Sequence, residues 1–202
     1  MKFRIFGVDF VLSFPAAAAV TLVILLDRGH TVEACLAAAF IHECGHLLAM
    51  LYCKTPPSKV KFELFTVDIS DPNRGRRRLS QELLIICGGV SANLLVFACS
   101  ASALCFVSSD FLLRIAASNL TVGLFNALPV ATLDGGQAVF LLIMRRLSYK
   151  AAETAVNILT VILLVPFTVL GILLLFESKN NFSLLVISVY LILSLVLKKE
   201  HF

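Results

Sequence analysis

Apolar runs of about 17 to 25 residues recur along this chain, each long enough to cross a hydrocarbon layer roughly 30 Å thick. Hydrophobic residues fill 59% of its 202 positions and charged residues only 15%, against about 25% charged in soluble domains. In lipid the backbone must close its hydrogen bonds internally, which favours helices. Six spans are expected, at about 9–26, 34–52, 82–107, 111–130, 151–176 and 182–198. They define one all-α membrane protein domain over 1–202, with little mass outside the bilayer. The apolar 137–147 segment is too short to cross and carries Arg145 and Arg146 near its end, so it is expected to lie along one membrane face. The alanines at 16–19 resemble a signal-peptide cleavage region, but the apolar run continues past them, and an uncleaved first helix is expected.

With six spans, fourteen of the seventeen Lys and Arg residues fall on the side of both termini, leaving only Arg28, Arg114 and Lys179 opposite. Cytoplasmic loops collect such residues. A multi-pass protein of the cell membrane with both termini cytoplasmic is therefore expected. The net charge of +4 belongs to those loops, and nucleic-acid binding is not expected. Six cysteines lie in or beside apolar segments without forming a CxxC pair, and they are read as reduced apolar fillers.

Only the 53–81 loop is long enough to build structure outside the bilayer. Val60, Phe62 and Leu64 alternate with Lys59, Lys61 and Glu63, and Phe65, Val67 and Ile69 continue the alternation after a slip of one residue. One bulged strand or a short membrane-associated hairpin between the second and third spans is expected. Two readings stay open: a loop dipping into the headgroups, or a strand edge able to pair with an extended peptide. The basic run at 74–78 is read as a topological anchor, with anionic lipid or an acidic partner as the alternative.

Chemistry concentrates in the second span, where His42-Glu43-Cys44-Gly45-His46 forms an HExxH motif. On a helix His42 and His46 share one face, so both imidazoles can hold one zinc ion while Glu43 beside them reaches a metal-bound water. Two histidines and a glutamate inside an apolar helix are costly to bury without a partner, which weighs against a merely hydrogen-bonded polar face. Cys44 points about 200° away from His42 and is not expected to be a ligand. A catalytic zinc normally has three protein ligands. Asp9 and Asp27 bound the first span and Asp110 lies on the far side, which leaves Asp134, within Asn126-Ala-Leu-Pro129-Val-Ala-Thr-Leu-Asp134-Gly135-Gly136. Pro129 interrupts the helix there and the two glycines permit a turn. The competing reading is an ordinary helix C-terminus with a turn.

These segments resemble the site-2 protease family of intramembrane zinc metalloproteases. The family's second motif stands here as Asn126, Pro129, Asp134 and Gly135, and its glycine-rich third signature as Gly88-Gly89-Val90-Ser91-Ala92-Asn93-Leu94. The resemblance implies that His42, His46 and Asp134 ligate Zn2+, that Glu43 is the catalytic base, and that Asn93, Asn126 and Pro129 serve substrate binding. It implies a single-span or membrane-associated protein substrate, such as a sigma-factor precursor or anti-sigma factor, cut in regulated intramembrane proteolysis. By the same resemblance, residues 59–70 help to hold an unwound substrate segment. The compact form is most similar to the sporulation-type branch without a PDZ domain. Two departures are Ala131-Thr132 in place of a usual second proline, and Gly88-Gly89 in place of a common Gly-Pro. The rival from another class is a non-catalytic zinc-binding scaffold or metal transporter. Transport would favour ionisable groups spread over several spans, whereas here they converge.

Overall fold

The computed structural model describes residues 2–5, 8–27, 29, 31–62, 67–73 and 75–177. The expected span at 182–198 lies outside them, as do His30 and His201. Six helices occur among the described residues, and the chain divides into two compact units, Met1–Phe125 and Asn126–Phe202.

The first unit opens with strands β1 (Lys2–Ile5) and β2 (Val8–Leu12), followed by helices α1 (Phe14–Leu26) and α2 (Thr31–Tyr52). Strands β3 (Lys59–Phe62) and β4 (Val67–Ser70) precede helix α3 (Leu79–Leu104), and α4 (Asp110–Ala127) runs to the unit boundary. The four strands form one sheet in the order β1-β2-β3-β4, antiparallel except for the parallel β2–β3 pair. The hairpin expected after the second span is present as β3–β4, and Val60 at its centre is only 1% exposed. The N-terminal hairpin corrects the all-α expectation. Val8-Asp9-Phe10-Val11-Leu12 pairs with both neighbouring strands, so the expected first span of 9–26 is part strand and part helix. The helical part, α1, has 13 residues and a length of about 20 Å, short of the hydrocarbon thickness.

Three helices among the described residues are long and apolar enough to cross a membrane: Thr31–Tyr52, Leu79–Leu104 and Tyr149–Leu170. Among the described residues, α1 is shorter and α4 more polar, carrying Arg114, Ser118, Asn119 and Asn126 along its 18 residues.

Among the described residues, helices α2 and α3 are the most extensively packed helical pair. A methyl group at Gly88 would meet the Gly45 carbonyl oxygen at 2.7 Å and the Ala49 Cβ at 3.0 Å, so these backbones approach as only small residues allow. The N-terminus of α2 is held by Asp27, whose carboxylate accepts from Gly29 N at 2.9 Å and Val32 N at 2.7 Å. Arg114 of α4 donates to the Gly29 carbonyl in the same turn.

The second unit contains α5 (Asp134–Met144) and α6 (Tyr149–Glu177), packed around Ala131, Phe140, Ala152 and Val156. Segment 137–147, expected to lie along one membrane face, falls largely in α5. Between α4 and α5 the chain is irregular, and Thr160 of α6 secures it. The Thr160 hydroxyl accepts from Ala131 N at 2.8 Å and donates to the Val156 carbonyl at 2.8 Å. Thr160 is fully buried. Thr160→Val keeps the volume but leaves the Ala131 N–H without that acceptor, so stability should fall by about 1–3 kcal/mol. Detergent unfolding curves measure this, and an unshifted midpoint would contradict it.

Candidate metal centre

In the first unit, α2 carries His42 and His46 one turn apart. His46 Nδ1 lies 2.8 Å from the Ile85 carbonyl oxygen of α3, which can only accept, so Nδ1 is the protonated nitrogen. That leaves the lone pair of His46 on Nε2, which lies 3.1 Å from His42 Nε2. The rings stand nearly perpendicular, at 85°. Two nitrogens on one tetrahedral zinc at about 2.0–2.1 Å are roughly 3.3 Å apart. The pair therefore fits a shared cation, and the Ile85 carbonyl supplies the outer hydrogen bond that fixes a ligating imidazole.

The room beside the imidazoles comes from Gly89. A Cβ there would stand 2.6 Å from His46 Nε2 and 2.7 Å from His42 Nε2. Gly88 thus lets the helix backbones come together, and Gly89 leaves space beside the two imidazole Nε2 atoms. His42 is buried, while Glu43 and Cys44 are partly exposed. All six cysteines are free thiols.

Asn93 is fully buried, and its Nδ2 donates to the Ala38 carbonyl of α2 at 3.3 Å. A methyl group at Gly123 of α4 would meet Asn93 Cβ at 3.2 Å. Asn93 thus sits at the contact of α2, α3 and α4. Asn119 bonds within its own helix, to the Ile115 carbonyl at 2.9 Å.

In the second unit, Asp134 is the first residue of α5, and Asn126 lies in the last turn of α4. Pro129 stands between them in the irregular connection, partly buried like Asp134. The expectation that Gly135 and Gly136 make a turn is corrected: both lie in the first turn of α5. The only described glycine at positive φ is Gly75. A Cβ at Gly135 would run into the Ala127 and Leu128 carbonyls, and one at Gly136 into the Val130 carbonyl. The glycines let α5 begin against the preceding chain, and so fix where Asp134 stands within its unit.

Nothing in the sequence singles out Arg77. It belongs to the basic run read as an anchor, yet its side chain is 2% exposed and paired with Asp71 at 2.5 Å. Its partners Asp71, Glu82 and Thr55 lie 6, 5 and 22 positions away, spacings that match neither a helix turn nor a strand alternation, so no local pattern marks them.

A family model described as Peptidase family M50 matches residues 96–167. The matched segment holds Asn126, Pro129 and Asp134 and excludes His42 to His46, so the HExxH turn is a separate observation. Among solved structures, the site-2 protease from Methanocaldococcus jannaschii is similar with a TM-score of 0.66 and 16% identity, over 95% of this chain and 91% of that one. At that identity the likeness is one of fold. Comparison with curated proteins finds no match.

Proposed function

We propose that this chain, for which the M50 match and the site-2 protease fold support the site-2 protease family, is an intramembrane zinc metalloendopeptidase acting on single-span or membrane-associated proteins. The observation that carries the reading is the pair of Nε2 atoms 3.1 Å apart on a helix long and apolar enough to span, beside a glutamate at the next position. His42 and His46 hold the metal, and Asp134 is the third ligand by the motif it shares with the family. Zinc would supply Lewis acidity, favouring ionisation of a water and polarising the scissile carbonyl. Glu43 takes the proton of the attacking water and delivers it to the leaving amine. Backbone amides of an unwound substrate segment pair with the open edge of β4, which offsets part of the lost helical hydrogen bonding. Regulated proteolysis of a sigma-factor precursor or anti-sigma factor, in the manner of the sporulation-type branch, is the physiological reading. The chain is read as a multi-pass protein of the cell membrane with both termini cytoplasmic, on the asymmetry that its basic residues have when six spans are counted.

The test is cleavage of a single-span protein by purified enzyme in micelles. A zinc chelator should abolish cutting, and added zinc, but not magnesium, should restore it. Asp134→Asn should weaken zinc retention at least about tenfold. Unchanged retention would remove Asp134 from the ligand set, and cutting that survives complete demetallation would overturn the metalloprotease reading.

A further inference from the structure

Arg77 joins the ends of three elements in the first unit. Its Nε donates to Thr55 Oγ1 at 2.8 Å and its Nη2 to the Thr55 carbonyl at 3.2 Å, just beyond α2. Its Nη2 and Nη1 reach the two carboxylate oxygens of Asp71 at 2.8 and 2.5 Å, directly after β4. Nη1 also lies 3.8 Å from Glu82 Oε1, in the first turn of α3. Both carboxylates are themselves held: Asp71 Oδ1 accepts from Asn73 N at 3.0 Å, and Glu82 Oε1 from Gly75 N at 3.1 Å.

A buried charge pair is a poor device for stability alone, because desolvation offsets much of its attraction and an apolar filler often does as well. A planar guanidinium in a fork does supply fixed geometry, which a lysine at the same place cannot reproduce. The joined elements have different duties. Helix α2 carries His42, Glu43 and His46; α3 carries Gly89 and the Ile85 carbonyl; β4 is an edge of the sheet, paired among the described residues only by β3.

We propose that Arg77 is a positioning residue that holds the open edge of β4, where an unwound substrate segment docks, in register with the histidine pair of α2. The proposal rests on the protease reading and on docking at that edge. The guanidinium touches neither substrate nor metal; it acts through Asp71 on the strand and through Thr55 and Glu82 on the helices. A shift of about 1 Å in such a relation is enough to cost up to roughly 10²-fold in kcat/KM, and a docking edge takes that loss in KM.

The experiment uses full-length Glu43→Gln protein with a photoreactive benzoyl-phenylalanine in place of Ser70, an exposed residue of β4. The probe is a synthetic peptide with an apolar span of about 20 residues broken by a central Gly-Pro pair. The peptide should cross-link at position 70, and Arg77→Lys should reduce the yield several-fold. In enzyme with Glu43 intact, Arg77→Lys should raise KM for the peptide roughly tenfold while kcat and zinc content stay near wild type. Thr55→Val, which removes one acceptor and keeps the ion pair, should move KM in the same direction, and supplies the readout should Arg77→Lys fail to fold. The double exchange Arg77→Asp with Asp71→Arg should recover part of the cross-linking. Unchanged yield and KM in both single variants, or zinc lost in parallel with KM, would overturn the positioning role while leaving the protease reading standing. Absence of cross-linking in the parent would overturn edge docking and this proposal together, and cleavage by the wild type would still report on the protease.

Discussion

Glu43→Gln protein should retain zinc at the wild-type ratio and cleave at least 10²-fold more slowly, within the 10²- to 10⁴-fold range typical of a lost general base. Glutamine keeps the length of the side chain and the helix preference of the site, and it cannot take a proton from water at neutral pH. Glu43 follows His42 directly, about 100° further round the helix, so it flanks the ligand face without needing to join it. The His46 Nδ1 bond to the Ile85 carbonyl and the approach of the two Nε2 atoms do not involve it. Zinc content and single-turnover cleavage on the same preparation separate the two properties. Cutting within about threefold of wild type would remove Glu43 from the base role.

The second large effect is expected from Gly89→Ala. The added methyl would stand 2.6 Å from His46 Nε2 and 2.7 Å from His42 Nε2, where a shared cation needs free approach. Imidazoles end rotatable side chains and can swing away, so the fold can survive while the ligand geometry does not. Alanine is also the better helix former by about 1 kcal/mol, which works against any general loss of α3. Zinc affinity should drop about 100-fold, the upper range for disturbing the surroundings of a ligand, and activity should fall with it. Gly123→Ala serves as the contrast, because its methyl would crowd Asn93 Cβ at 3.2 Å and not the imidazoles. Full zinc content in Gly89→Ala protein would mean that α3 does not bound the ligand face.

The approach of His42 and His46 was legible in the sequence because its information is local: four-residue spacing on a helix decides which side chains share a face. Helices α2 and α3 were legible for the same reason, their apolar runs being long and nearly free of charge. Val8 to Leu12 misled because a window that counts apolar residues does not distinguish a buried strand from the start of a helix. Their pairing with Lys59 to Phe62 depends on a contact across some fifty positions. Gly135 and Gly136 were read as turn formers because glycine is common in turns; their actual use, close approach to the Ala127 and Val130 carbonyls, is a tertiary fact. Arg77 was hidden by its neighbours. A basic run beside a membrane has an ordinary topological explanation, and only Asp71, Thr55 and Glu82 around it mark Arg77 as different.

The most direct measurement is X-ray absorption at the zinc edge on purified wild-type protein, with metal content determined on the same sample. About one zinc per chain is expected, with two imidazole nitrogens at about 2.0–2.1 Å and oxygen completing the shell. A chain that purifies folded without zinc and does not take it up, or a zinc shell without imidazole scattering, would contradict the assignment of His42 and His46 as the heart of a metalloprotease.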